Sequence, residues 1–144
     1  MTAYVNPTPE QFGAMAKLDE PGPIHMLNLL AFREKAAYAD DHPFAEKGLS
    51  GAEAYQAYGA ESGPIFQAVG GRIAFAWTPR VTVIGPEDER WDMAFVAEYP
   101  TVGAFIDMVK NPDYQVAVAH RNAAIENSRL IRLRPEETGA GFAG

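Results

Sequence analysis

Not one of the 144 residues is cysteine. That absence removes disulfides, zinc knuckles, thiolate nucleophiles and cysteine-ligated clusters from the functions open to the chain. Positive charge is in deficit: twelve Lys and Arg stand against nineteen Asp and Glu, a net charge of −7, and the basic residues form no consecutive block. Binding to a phosphate backbone would start from repulsion, so no nucleic-acid partner is expected. Long apolar runs are missing as well. The longest, Met26-Leu27-Asn28-Leu29-Leu30-Ala31-Phe32, is far short of the ~20 residues that cross a bilayer, and it lies too far inside the chain to be a secretory signal. No membrane partner is expected, and the chain reads as a soluble, cytoplasmic protein. Phosphate-loop glycines, a dinucleotide fingerprint and a Gly-x-Ser-x-Gly elbow are all lacking, which sets aside nucleotide and serine-hydrolase chemistry.

What remains is an ordinary globular composition, 47% hydrophobic and 22% charged. A chain of this length buries about two thirds of its unfolded surface, enough for one core without a metal or disulfide. One domain over residues 1–134 is expected, with a small, polar, loose tail over 135–144.

Local signals divide that domain. Thr8-Pro9-Glu10-Gln11 combines a capping hydroxyl with a proline at the first helical position, so a helix begins there, and Pro21-Gly22-Pro23 forbids its continuation. Residues 24–32 are almost uniformly apolar, the pattern of a strand covered on both faces. Residues 33–49 are polar and turn-rich and read as a long, partly ordered loop. Ser50-Gly51-Ala52-Glu53 is a capping box opening a helix toward Val69, which Gly63-Pro64 should kink or split and Gly70-Gly71 should stop. Alternation over 72–77 predicts a strand that Pro79 interrupts and Val81 to Ile84 continues, and 91–99 returns as its hairpin partner. Pro100-Thr101 opens a helix that Asn111-Pro112 ends. A further helix runs to about Asn127 with Tyr114, Ala117, Val118 and Arg121 on one side, and a final strand occupies 128–134.

This order, helix, strand, helix, strand, strand, helix pair, strand, is a ferredoxin-like split β-α-β of the α+β class with a four-stranded antiparallel sheet and an added first helix. Helices cover one sheet face. Whichever parity faces them, the first strand turns either Ile24, Met26, Leu30 and Phe32 or Leu27, Leu29 and Ala31 to the other. Four strands of this length give that face roughly 440 Å², within the size of a functional apolar patch. Pairing with a second copy across a two-fold axis is the simplest cover, so a homodimer is expected.

Taken together, Met26 to Arg33, the pair Tyr55 and Tyr58, Gly70-Gly71, and Trp91-Asp92 through Glu98-Tyr99-Pro100-Thr101 to Tyr114 and Arg121 resemble the domain of unknown function 1330 family over about residues 24–133. The resemblance implies a dimeric α/β barrel, a superfamily that also holds small antibiotic-biosynthesis monooxygenases, muconolactone isomerase and haem enzymes such as chlorite dismutase. The chain departs from it in the first helix and the 33–49 insertion. The family has no established reaction, and fold kinship alone does not supply one.

Several side chains carry possible chemistry. Asn28 is an amide amid apolar neighbours and must find partners, either in a ligand or in a neighbouring loop or dimer mate. Arg33 carries a fork of donors suited to a carboxylate or enolate, or to a solvated ion pair with the acidic loop. Tyr55 and Tyr58 share a helix face and either reach a cleft or pack in the core. Met26, Phe32, Tyr55, Trp77 and Trp91 are the expected ligand lining. His25 lies on the opposite strand parity from Asn28. His42 beside Asp40-Asp41 is a weak metal signal, so no metal site is expected, and His120 or His25 is an alternative haem ligand. Asp92 and Glu98 stand roughly 20 Å apart along a strand and cannot form a carboxylate pair.

The function expected is a homodimer with one pocket per subunit that binds, and as an enzyme acts on, a small apolar carbonyl or aromatic metabolite without a cofactor. Isomerase or monooxygenase-like chemistry would use Asn28 to position the carbonyl, Arg33 to stabilise negative charge and Tyr58 to donate a hydrogen bond. The alternative is a non-catalytic ligand-binding or interaction module.

Overall fold

Local capping chemistry sets the first helix. The Thr8 hydroxyl accepts from the Gln11 backbone N–H at 3.1 Å, and Pro9 opens α1 (Pro9–Lys17) where its missing donor costs nothing. The computed structural model describes residues 2–142. Met1, Ala143 and Gly144 lie outside the described residues, the last two being the end of the expected tail. After α1 come β1 (Ile24–Phe32), α2 (Gly51–Ala68), β2 (Arg72–Trp77), β3 (Met93–Tyr99), α3 (Val102–Lys110), α4 (Pro112–Ala124) and β4 (Ile125–Leu133).

The capping box of α2 is complete, with Ser50 Oγ accepting from Glu53 N at 3.1 Å and Glu53 Oε1 from Ser50 N at 2.9 Å. Ser50→Ala should therefore cost about 1 kcal/mol, read as a lower denaturant midpoint at unchanged slope.

Three expectations need correction. Pro64 does not split α2, which runs unbroken through 18 residues. Ile65 and Phe66, just beyond the proline, pack into the main core, and tertiary burial overrides the lost backbone bond. Val81 to Ile84 do not resume the strand: residues 78–92 contain no strand, and Val81, Val83 and Ile84 are 80–95% exposed. Pro79 removes a ladder donor and nothing restarts the pairing. The last helix ends at Ala124, not near Asn127, because Ile125 already pairs with Phe32, with Glu126 bulged out of β4 between that pair and the pair of Ala31 with Asn127.

The sheet order is β2-β3-β1-β4, with every pair antiparallel, which is the ferredoxin-like arrangement. Strand parity then sorts the side chains. Ile24 and Met26 of β1, with Ala97 and Tyr99 of β3, meet Phe105 and Met108 of α3 and Tyr114 of α4 in one buried cluster, against which Phe12 and Met15 of α1 also pack. A second cluster joins Leu30, Ala54, Ala124 and Ile125.

The opposite parity forms the uncovered face. Its central row, read across the sheet by register, is Phe75, Val96, Leu27 and Ile131, apolar from edge to edge. The row on one side is Arg72, Glu98, His25 and Leu133. At the far end of β1 the 78–92 segment is tied down: Asp92 N donates to Leu30 O at 2.7 Å, and Asp92 Oδ2 accepts from Phe32 N at 2.8 Å.

Candidate functional site

Even-numbered β1 residues point toward the helices, so Asn28 enters the helix side of the sheet with Met26. There a half-open cavity of about 1700 Å³ lies between part of the sheet and the helices, reaching the β2 edge at Trp77. Its volume exceeds the roughly 300–1,000 Å³ of small-molecule sites, leaving room for a ligand and water.

Among its polar groups are four phenols from two helices and a strand, and the Asn28 amide. Tyr55 and Tyr58 are neighbours on α2, their ring centroids 5.2 Å apart. Tyr58 Oη and Tyr114 Oη share a hydrogen bond of 2.6 Å. Tyr99 Oη donates to Met108 Sδ at 3.9 Å. The Asn28 amide Nδ2 donates to Met26 O at 3.1 Å, and its Oδ1 meets no donor among the described residues. The Tyr55 hydroxyl likewise makes no hydrogen bond among them, although its ring packs on Phe32 at 5.3 Å. Two polar groups therefore face the cavity unspent.

Burial raises the phenols of Tyr55, Tyr99 and Tyr114 well above the ordinary tyrosine value, and the neighbouring Tyr58 adds to each shift. Arg121 pulls Tyr55 and Tyr114 the other way without reversing it. These three hydroxyls stay protonated at neutral pH and act as donors. Among the described residues, no carboxylate and no imidazole lines the cavity.

The expected site residues divide. Asn28, Tyr58, Met26, Tyr55 and Trp77 line the cavity. Arg33, Phe32 and Trp91 do not. Arg33 follows the last residue of β1, and its backbone is stitched elsewhere, N–H to Ala124 O at 2.8 Å and O to Gly51 N at 3.0 Å. Phe32 belongs to the second core cluster. Trp91 lies in the 78–92 segment under the Arg129 guanidinium, 5.2 Å from its ring centroid.

The histidines are engaged outside the cavity. His25 Nε2 meets Glu98 Oε1 at 3.1 Å on the uncovered face, with Arg72 Nε on the other carboxylate oxygen at 2.5 Å. The bond from His25, then that from Arg72, holds the Glu98 carboxyl below the usual range. His120 is buried, with Nδ1 on the Tyr38 hydroxyl at 2.7 Å and Nε2 on Glu61 Oε2 at 2.5 Å. Both ring nitrogens of His120 are taken, so it does not fit an axial haem ligand, and His25 has its Nε2 engaged by Glu98. His42 stacks on Tyr38 at 4.6 Å and accepts from Phe44 N. No group of three or more His, Asp or Glu among the described residues could hold a metal ion. Nor is any described helix long and apolar enough to cross a membrane.

Cavity residues that escaped the expected site include Tyr99, Tyr114 and Arg121. The last two stand seven apart on α4, two turns along one face. The signal was an arginine on the apolar side of an amphipathic helix.

Fold and cavity together define a ferredoxin-like α+β protein whose helices roof one face of the sheet over a polar-studded apolar hollow. Residues 45–132 match the family model described as a domain of unknown function, DUF1330, and the chain belongs to that family. A solved structure of methylated RPA0582 protein is similar at 47% identity and TM-score 0.89, covering 96% of this chain and 99% of that one. Another, of the RPA0582 protein of unknown function from Rhodopseudomonas palustris, is 47% identical with TM-score 0.87, covering 95% of this chain and 100% of that one. No curated protein matches the chain.

Proposed function

We propose that the chain is a homodimeric binding protein that holds one small apolar metabolite, aromatic or carbonyl-bearing, in the helix-side cavity of each subunit. The observation that carries this reading is the pairing of an apolar hollow with two unspent polar groups, Asn28 and the Tyr55 hydroxyl, on facing elements. Such a hollow with few convergent polar groups is the usual form of a small-molecule site. Asn28 and Tyr58 orient a carbonyl oxygen, while Met26 and Tyr55 supply apolar wall and Trp77 stands at the rim. Binding is favoured over isomerase or monooxygenase-like chemistry by the lining itself: phenols held protonated donate, and proton abstraction needs a base within reach.

Two probes test it. The neutral dye N-phenyl-1-naphthylamine should brighten on binding, saturate at one per chain and be displaced by 2-naphthaldehyde. Asn28→Leu should weaken the aldehyde about fivefold relative to the dye, the worth of one neutral hydrogen bond. A dye that does not bind, or an aldehyde indifferent to Asn28, overturns the reading.

A further inference from the structure

The chain as a whole is acidic, with nineteen Asp and Glu against twelve Lys and Arg. Its cavity reverses that balance: Arg121 and Arg132 border it from the helix side, Arg72 and Arg129 reach its rim from strand positions that belong to the uncovered face, and no Asp or Glu among the described residues borders it. Two of the four are neutralised, Arg72 by Glu98 at 2.5 Å and Arg129 by Glu89 at 3.5 Å. Arg132 spends Nη1 on the carbonyls of Met15 and Leu18, at 2.7 and 3.1 Å, where the end of α1 offers its negative pole. Arg121 differs. It makes one hydrogen bond among the described residues, Nη1 to Val5 O at 2.6 Å, and no carboxylate lies within 4 Å of it. The rest of its fork is uncommitted. It projects from α4 two turns after Tyr114, whose hydroxyl is already joined to Tyr58, and its charge is felt at Tyr55 and Tyr114.

A guanidinium in a partly buried apolar setting is costly unless it is paired, and its planar fork matches a carboxylate or enolate in a way that water does not. Phenol donors beside it would take the remaining oxygen lone pairs. Of the two cavity arginines without a carboxylate partner among the described residues, Arg132 is held on the end of α1 while Arg121 stands among donor phenols, and that placement selects for a ligand that brings its own negative charge.

Resting on the cavity reading above, we infer that the ligand is an anion, an apolar or aromatic carboxylate or a stabilised enolate, whose charged end pairs with Arg121 beside Tyr55 and Tyr58. The role expected of Arg33 in neutralising ligand charge falls to Arg121, which is on the cavity wall where Arg33 is not.

The test compares 2-naphthoate with 2-naphthamide, alike in shape and differing in charge, by displacement of N-phenyl-1-naphthylamine. In the wild-type chain the carboxylate should bind roughly tenfold or more tightly than the amide, as charge-assisted bonds exceed neutral ones. Arg121→Gln should abolish that preference, and Arg121→Lys, which keeps the charge but not the fork, should restore part of it. Carboxylate and amide binding equally in the wild type, with the dye still bound, overturns the anion assignment and leaves the cavity reading standing. A preference that survives Arg121→Gln moves the charge contact elsewhere and also overturns it. Failure of dye, carboxylate and amide alike overturns both. The wild-type comparison decides the matter even where loss of the Val5 bond destabilises the Arg121 variants.

Discussion

Gly51→Ala is expected to destabilise the protein by about 3 kcal/mol or more, at the upper end of what overpacking causes. An alanine Cβ there would lie 2.2 Å from Arg33 O, 2.7 Å from Arg33 N and 2.8 Å from Ala124 O. All three are backbone atoms, so no rotamer change relieves the contact. They are also bonded to each other: Gly51 N donates to Arg33 O at 3.0 Å, and Arg33 N to Ala124 O at 2.8 Å. The end of β1, the start of α2 and the end of α4 thus meet at one point, and only a residue without a side chain lets them close. Helix propensity argues the other way, since alanine gains about 0.8–1.0 kcal/mol over glycine in a helix interior, but the steric cost is several times larger. Gly59, in the same helix with nothing within 4 Å of its added Cβ, separates the two effects. Gly59→Ala should raise stability by about 0.5–1 kcal/mol. Urea unfolding of both variants checks the pair. Opposite signs are expected, and a Gly51→Ala protein as stable as the parent would refute the crossing.

The same crossing shows what the sequence made legible and what it did not. Caps were legible because their physics is local: Thr8 with Pro9, Ser50 with Glu53, and Asn111 with Pro112 each start a helix where three or four residues dictate it. The order of elements, and hence the ferredoxin-like topology, followed from those caps and from periodicity. Strand parity likewise put His25 and Asn28 on opposite faces, which the register confirms. Parity does not say which face meets the helices, and it does not extend past the end of a strand. Arg33, one residue beyond β1, was misplaced because its backbone is held by Ala124 and Gly51, which are distant in the chain. Gly51 read as an ordinary member of a capping box because its neighbours, Arg33 and Ala124, are distant in the chain. Arg121 was visible on the apolar side of α4, but its lack of a carboxylate partner is a fact of the folded protein and not of spacing. His120 stayed open as an alternative haem ligand for the same reason, since Tyr38 and Glu61, which occupy it, lie 82 and 59 residues away.

Leu27→Asp should convert the protein from a species of twice 15.7 kDa to one of 15.7 kDa in sedimentation equilibrium, with little change in far-UV circular dichroism. Leu27 sits at the middle of the uncovered face, between Val96 on β3 and Ile131 on β4, with Phe75 completing the row from the β2 edge. Phe75 and its stacked neighbour Trp77 are each about half exposed in the single chain, their rings 5.7 Å apart and nearly parallel. A second copy related by a two-fold axis would set this row against itself, since an isologous contact uses the same patch twice. Each dimer would then bury two introduced carboxylates in apolar surroundings, a cost of several kcal/mol that weakens association by two or more orders of magnitude. The isolated chain would scarcely notice, because the same carboxylate stands at the edge of water. The sheet face of roughly 440 Å² is smaller than the about 800 Å² per partner of a standard interface, so further surface must join it. The exposed Val81, Val83 and Ile84 beyond the β2 edge are the apolar surface available. Replacing all three by serine should weaken the dimer without abolishing it, whereas Leu27→Asp should abolish it. A parent protein that sediments as a monomer at micromolar concentration, or a Leu27→Asp variant that remains dimeric, would show that this face is not where two copies meet.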